Sequence, residues 1–206
     1  MTIVNFATKE YKAGQQRLMA SINGRSKMLM FNKYEVIGSP THSESPYEFK
    51  IHAIEKALEA DDIILYCDAS LWRVGDLSKI ENIIKTDGYL LEEAGHYVDK
   101  WCNAHTRKYF NLQPHESHFI MFSAGFVGLN KKSEVAMEFL RQWKESALAG
   151  CFRGDWADHR HDMTCGSIIA QRLGMKYQRG GSNLAYIGGG YTAPEPGVTF
   201  YLQGIV

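Results

Sequence analysis

Along this chain, short apolar runs of strand length alternate with longer stretches whose apolar residues recur at helical spacing. A strand covered on both faces reads as a continuous apolar run, and a helix lying on a sheet reads as one apolar stripe. The alternation therefore predicts a layered α/β fold. Ile3 to Ala7 and Lys27 to Phe31 are the first two expected strands, with a helix from Lys12 to Ile22 between them. Ser45-Pro46-Tyr47-Glu48 has the form of a capping box with proline at the first helical position, and Tyr47, Ile51, Ile54 and Leu58 then share one face. Ile63 to Cys67 is the most continuous short apolar run, expected as a buried strand, and it ends at Asp68.

Further along, Asp76 is an expected cap for a helix carrying Leu77, Ile80 and Ile84, which stops near Asp87-Gly88. A helix from Tyr97 to Tyr109 follows from the spacing of Val98, Trp101, His105 and Tyr109. His118 to Phe122 and Phe126 to Leu129 read as strand segments interrupted by Ser123-Ala124-Gly125. Ser133 caps a long helix with Ala136, Leu140, Trp143 and Ala147 in register, closed by Gly150. Cys151 to His161 is aromatic, polar and aperiodic. A helix from Asp162 to Leu173 comes next, and then a glycine-rich tail broken by a strand from Val198 to Leu202. With no repeat and no linker, residues 1–206 read as one domain.

Composition narrows the function. Lys plus Arg and Asp plus Glu both number 23, so no global field draws the chain to nucleic acid or to an anionic membrane. Cys67, Cys102, Cys151 and Cys165 lack C-x-x-C spacing and are expected to be reduced and mostly buried, not zinc ligands. No apolar stretch approaches the roughly 18 residues of a membrane span, and the N-terminal apolar run is too short for a signal peptide. The expected address is cytoplasmic.

Candidate chemistry gathers in four places. In open α/β sheets ligands collect beyond the carboxyl ends of strands, which gives Asp68 a position to hold a cation or a ribose hydroxyl; its plain alternative is a turn starter. Asp155-Trp156-Ala157-Asp158-His159-Arg160-His161-Asp162 puts two imidazoles and three carboxylates close together, suited to a metal or a general base, or else to a solvated loop in which Asp162 only caps a helix. Ser123-Ala124-Gly125 marks either a ligand's close approach to backbone or a bulge. Gly180-Gly181 and Gly188-Gly189-Gly190 suit a closing loop, or plain surface turns. The phosphate-loop, G-x-G-x-x-G, H-E-x-x-H and G-x-S-x-G motifs are all absent.

Taken in order, several segments resemble the small GT-A nucleotide-diphospho-sugar glycosyltransferases. They are the opening strand running into Ala7-Thr8-Lys9-Glu10-Tyr11, the Pro-Tyr-Glu-Phe-Lys helix, Asp68-Ala69-Ser70 after an aliphatic strand, Phe122-Ser123-Ala124-Gly125-Phe126, and His161-Asp162 opening a late helix. The resemblance implies a single GT-A-like, Rossmann-like α/β domain with a mixed, mostly parallel central sheet flanked by helices. It implies a hexosyltransferase that uses a nucleotide-sugar donor and a glycan or small-molecule acceptor. Thr8, Tyr11, Lys50, Asp68 and Ser70 would then bind the nucleotide, with Mn²⁺ or Mg²⁺ on Asp68. Ser123, Ala124, Gly125, His161 and Asp162 would hold sugar and acceptor, with Asp162 the catalytic group. Ser70 stands where the D-x-D motif has its second acid, Met163 follows Asp162 where Gln is frequent, and Phe200 to Gly204 carries no histidine. The rival readings are a silent sugar-nucleotide or glycan-binding module, and a metal-dependent hydrolase or nucleotidyltransferase built on the Asp155 to Asp162 cluster.

Overall fold

The computed structural model describes residues 1–187 and 196–203. The first half comprises β1 (Thr2–Phe6), α1 (Lys12–Ile22), β2 (Lys27–Phe31), α2 (Tyr34–Ile37), α3 (Phe49–Ala60), β3 (Ile63–Cys67), β4 (Leu71–Arg73) and α4 (Leu77–Asp87). There follow β5 (Tyr89–Leu90), β6 (Glu93–Tyr97), α5 (Ala104–Tyr109), β7 (Ile120–Phe122), β8 (Phe126–Asn130) and α6 (Glu134–Leu148). The chain continues through α7 (His161–Arg172), β9 (Leu184–Tyr186) and β10 (Phe200–Leu202). Of the glycine runs, residues 188–190 lie outside the described residues.

The central sheet has the order β2-β1-β3-β8-β5, with β1 parallel to both β2 and β3 and with β8 antiparallel to β3 and β5. Four strands thus run one way and β8 opposes them, a mixed, mostly parallel sheet. Alternation along β3 divides the core. Ile64 and Tyr66 pack with Ile51 and Ile54 of α3, Trp143 of α6 and Ile168 of α7, while Leu65 and Cys67 pack with Leu18 of α1, Ile80 of α4 and Phe200. Each such side chain contributes roughly 1.5–3 kcal/mol on burial, which explains the unbroken apolar run. All four cysteines are free and buried, as their spacing suggests.

Beside this sheet, β10 pairs antiparallel with β4 and parallel with β9, and beyond it the Gln203 N–H donates to the Ser70 carbonyl. Gly14 lets α1 approach the turn after β3: a Cβ there would lie 2.2 Å from the Ala69 carbonyl oxygen. That close approach brings the residues after β1 next to Asp68.

Asp76 and Ser133 cap α4 and α6 as expected, and Gly88 and Gly150 follow those helices in the left-handed region. Other expectations are corrected. The Ser45 box does not form, because Tyr47 takes φ +63° and interrupts the turn; α3 starts at Phe49, and Glu48 contacts His52 instead. The helix expected from Tyr97 to Tyr109 is a strand end, a 3-10 turn at Val98–Trp101 and the short α5. Asn103 divides it, since its side chain accepts the Thr106 N–H and caps α5. At α7 the cap position belongs to Arg160, so Asp162 is no N-cap, and its carboxylate is free for other contacts. Strands β4, β5 and β9 are too short to show a period, and β6, Glu-Ala-Gly-His-Tyr, has no apolar run to mark it.

Candidate active site

Residues two apart on a strand share a face, so Tyr66 and Asp68 at the end of β3 lie together. The Tyr66 hydroxyl donates to Asp68 Oδ1 at 3.0 Å. From the first turn of α3, Lys50 reaches the same carboxylate, its Nζ 3.2 Å from Asp68 Oδ2. The ammonium also lies 2.9 Å from Asp162 Oδ2 and 3.4 Å from the Ala124 carbonyl oxygen. One lysine therefore ties the end of β3, the turn before β8 and the start of α7 into a single cluster.

The Lys50 and Asp162 side chains are each 4% exposed, against 31% for Asp68. Burial alone would lower the Lys50 pKa, but Asp162 and Asp68 together raise it above the ordinary lysine value. Burial pushes the Asp162 carboxyl above the usual carboxylate range, and Lys50 pulls it only part of the way back. Lys50 Nζ, 2.9 Å from Oδ2, is the side-chain partner of the Asp162 carboxylate among the described residues, and Trp143 Nε1–H donates to the Asp162 backbone carbonyl. A buried carboxylate with unfilled acceptor positions is suited to a ligand's hydroxyl groups.

The Ser123-Ala124-Gly125 break is a tight turn closed by Phe126 N–H on the Ser123 carbonyl. The Ser123 N–H donates to the Glu92 carbonyl, and Gly125 accepts from the Asp68 N–H at 2.8 Å. A Cβ on Gly125 would sit 2.5 Å from Asp68 Oδ2, so glycine here is what lets the carboxylate lie against backbone.

In front of the cluster opens a cleft of about 680 Å³. Thr8, Tyr11, Asp68 and Ser70 all line it, and Glu10 and Asp68 are the charged residues of its wall. Lys50 is not in the wall; it lies beneath, aimed at the two acids. The remaining lining is strongly aromatic, with Phe6, Tyr34, His42, Tyr47 and Phe49. Burial raises the Tyr47 phenol to about 12, so it stays neutral at working pH.

His161 stands beside the same cluster, its ring 5.3 Å from that of Tyr47 and stacked on Trp156 at 5.5 Å. The Arg160 guanidinium lies 3.4 Å from the Trp101 ring centroid and 4.1 Å from that of Trp156, which anchors the entry to α7. Tyr47 and His161, neither a glycine, both take positive φ, at 63° and 45°. Such conformations cost of order 1–3 kcal/mol and gather where surrounding structure holds a working geometry. Here they flank Lys50 and Asp162.

The Asp155 to Asp162 segment does not converge on a metal. His159 spends its ring nitrogens on the Trp101 and Cys151 carbonyls, His161 Nδ1 faces the Phe152 carbonyl at 2.8 Å, and Asp155 and Asp158 are exposed. Among the described residues no group of three His, Cys, Asp or Glu side chains could hold an ion. Asp68 presents one part-exposed carboxylate whose oxygens each have one protein partner, and Ser70 adds a hydroxyl. Those donors fit an ion that arrives on a diphosphate and completes its shell with phosphate oxygens and water, not an ion caged by protein alone.

Sequence reasoning missed several residues. Asn5 and Gln15 form a buried chain under the cleft, Asn5 donating to the Cys67 carbonyl and Gln15 to Asn5 and to the Phe31 carbonyl. Glu92 is buried and accepts from the Asn183 and Leu184 N–H groups, fixing the C-terminal segment to the Ser123 turn. The one available signal was a polar residue inside an apolar run, as at Asn5 and Glu92.

No protein-family model matches the chain, and no curated protein matches its sequence. Solved structures do match in fold. WbbM, a bifunctional glycosyltransferase in its apo form, matches with a TM-score of 0.55 and 10% identity over 90% of this chain, which spans 40% of that protein. Mouse xyloside xylosyltransferase 1, also apo, gives 0.55 and 12% identity over 98% of this chain and 97% of the other. A glycosyltransferase involved in glycosylation of the major capsid of PBCV-1 gives 0.59 and 9%, over 98% and 92%. No helix among the described residues is long and apolar enough to cross a membrane.

Proposed function

The chain has the GT-A-like fold of glycosyltransferases, and on that premise we propose that it transfers a hexose from a nucleotide-diphosphate sugar to an acceptor hydroxyl. The observation that carries this reading is the Lys50 ammonium between Asp68 and Asp162 beside the cleft. It joins a diphosphate position at the rim of the sheet to a buried acid suited to a sugar.

Thr8 and Tyr11 face the nucleoside, and Asp68 with Ser70 faces the diphosphate. The charged side chains of the cleft wall are both acids, so an anionic diphosphate needs added positive charge there. Asp68 and Ser70 would hold a Mn²⁺ or Mg²⁺ there, and the chemistry it would supply is positive charge to offset that of the diphosphate leaving group. The bond from the anomeric carbon to the diphosphate breaks with its electron pair, the acceptor oxygen bonds to that carbon, and the acceptor's proton is released. Asp162 accepts from the sugar's hydroxyls and stabilises positive charge developing at the anomeric carbon, while Lys50 keeps it ionised. The Ser123 to Gly125 backbone and His161 border the sugar and acceptor.

A donor screen tests this. Purified protein is incubated with UDP, GDP, CDP and dTDP hexoses, each with Mn²⁺, Mg²⁺ or EDTA, and thermal midpoint and nucleoside diphosphate release are followed. One donor raises the midpoint by a few degrees with metal and by less with EDTA, and slow release accompanies it. Equal silence with every donor contradicts the proposal, and binding without release or transfer points to a silent binding module.

Gly125→Ala probes the diphosphate position without removing a functional group. The new Cβ displaces the Asp68 carboxylate, so donor affinity by calorimetry falls about tenfold or more. Unchanged affinity would show that Asp68 does not touch the donor.

A further inference from the structure

We propose that the donor is a guanosine diphosphate sugar, its base seated at the aromatic end of the cleft and selected by Glu10. This rests on the function proposed above and adds the chemical class of the nucleotide.

The cleft has two unlike ends. At one, Asp68 and Ser70 stand before the Lys50–Asp162 pair. At the other, Phe6 lies 4.8 Å from Tyr34 and 4.7 Å from Phe49, centroid to centroid, while Tyr47, with His42 against it at 4.7 Å, stands between these rings and Lys50, its centroid 5.0 Å from Nζ. All five rings line the cleft. Aromatic walls stack any nucleobase, at roughly 1–3 kcal/mol per base, and so give affinity without choice. Choice requires hydrogen-bonding groups at the base edge.

Glu10 is the charged side chain at that end. It lines the cleft, and its charge adds to burial in raising the Tyr34 phenol. Its own N–H and the Thr8 hydroxyl hold its carboxylate below the ordinary range, so it is ionised and acts only as an acceptor. Among the bases, guanine alone offers two adjacent donors, N1–H and the 2-amino group, which match the two oxygens of a carboxylate. Adenine and cytosine each set one amino donor beside a ring-nitrogen acceptor. Uracil and thymine place a single N–H between two carbonyl oxygens, and a carboxylate repels both. Thr41 and Ser43 line the same cleft and add adaptable hydroxyl groups.

Calorimetric titration of the full chain with GDP, ADP, UDP, CDP and dTDP in Mn²⁺, repeated on Glu10→Gln and Glu10→Ala, tests this. Glu10 is exposed, so both variants fold. GDP is expected to bind at least tenfold more tightly than the other four, and both substitutions should cut that advantage to threefold or less, GDP affinity falling while UDP affinity, freed of the carboxylate's repulsion, does not fall. Tightest binding of another nucleotide, or a GDP preference that survives both substitutions, overturns the guanine assignment and leaves the glycosyltransferase reading standing. No binding of any nucleotide defeats that reading and this inference with it.

Discussion

Replacing Lys50 with methionine is expected to abolish transfer and to cost about 3–5 kcal/mol of stability at neutral pH, because two carboxylates, one fully enclosed, lose their shared cation. Methionine fills similar space, so the loss is electrostatic and not a cavity. The pH dependence identifies the cause. Without the ammonium, the folded-state pKa of Asp162 rises further above its unfolded value of 3.8, so the folded chain binds a proton that the unfolded chain has released. Stability of the variant therefore increases as pH falls from neutral toward the ordinary aspartate range, more steeply than in the parent protein. Urea unfolding at several pH values checks this. A stability loss independent of pH would assign Lys50 a packing role only. The stabilisation Lys50 gives the parent is present below the unfolded lysine pKa of 10.5 and is lost only as pH rises through its higher folded value.

Asp162→Asn separates charge from shape. Asparagine fits the same volume, and Lys50 keeps Asp68 and the Ala124 carbonyl as partners, so the stability cost is about 1–3 kcal/mol. Turnover falls about 10²–10³-fold, while the donor KM changes far less, because the carboxylate acts on charge that exists only in the transition state. In the parent protein burial places the Asp162 pKa above the usual carboxylate range, so the acidic limb of the kcat profile lies above that of an ordinary aspartate. Turnover is lost as pH falls through that limb. Initial rates across pH measure both effects. Parent-like turnover in the variant would leave Asp162 as no more than a counter-ion for Lys50.

Much of the scaffold was legible, for local reasons. The run Ile63 to Cys67 is apolar because β3 is covered on both faces, and its abrupt end at Asp68 marks the rim of the sheet. Asp76 and Ser133 act on N–H groups within their own next turn, so their sequence neighbourhood suffices. Capping failed where tertiary structure overrode it: Ser45 has the right partners in sequence, but Tyr47 adopts a left-handed conformation beside His161 and Lys50.

Asp162 stands out in sequence by its cluster of acids and imidazoles, with a helix cap as the plain alternative; the structure gives the cap position to Arg160 and sets the Asp162 carboxylate against Lys50 from a distant helix. Lys50 is expected at the nucleotide through the resemblance alone, and its enclosure between two acids was not legible, because lysine is rarely enclosed and no pattern announces two acids converging on it. The aromatic end of the cleft was equally hidden, since Phe6, Tyr34 and Phe49 come from separate elements and meet only in the fold.

A crystal structure of the chain with a non-transferable nucleotide-diphosphate hexose and Mn²⁺ tests the central claim most directly. The account predicts the diphosphate beside Asp68 and Ser70 and the sugar's anomeric carbon facing Asp162, with Lys50 still between the two acids. A nucleotide seated outside this cleft, or a sugar turned away from Asp162, would contradict it.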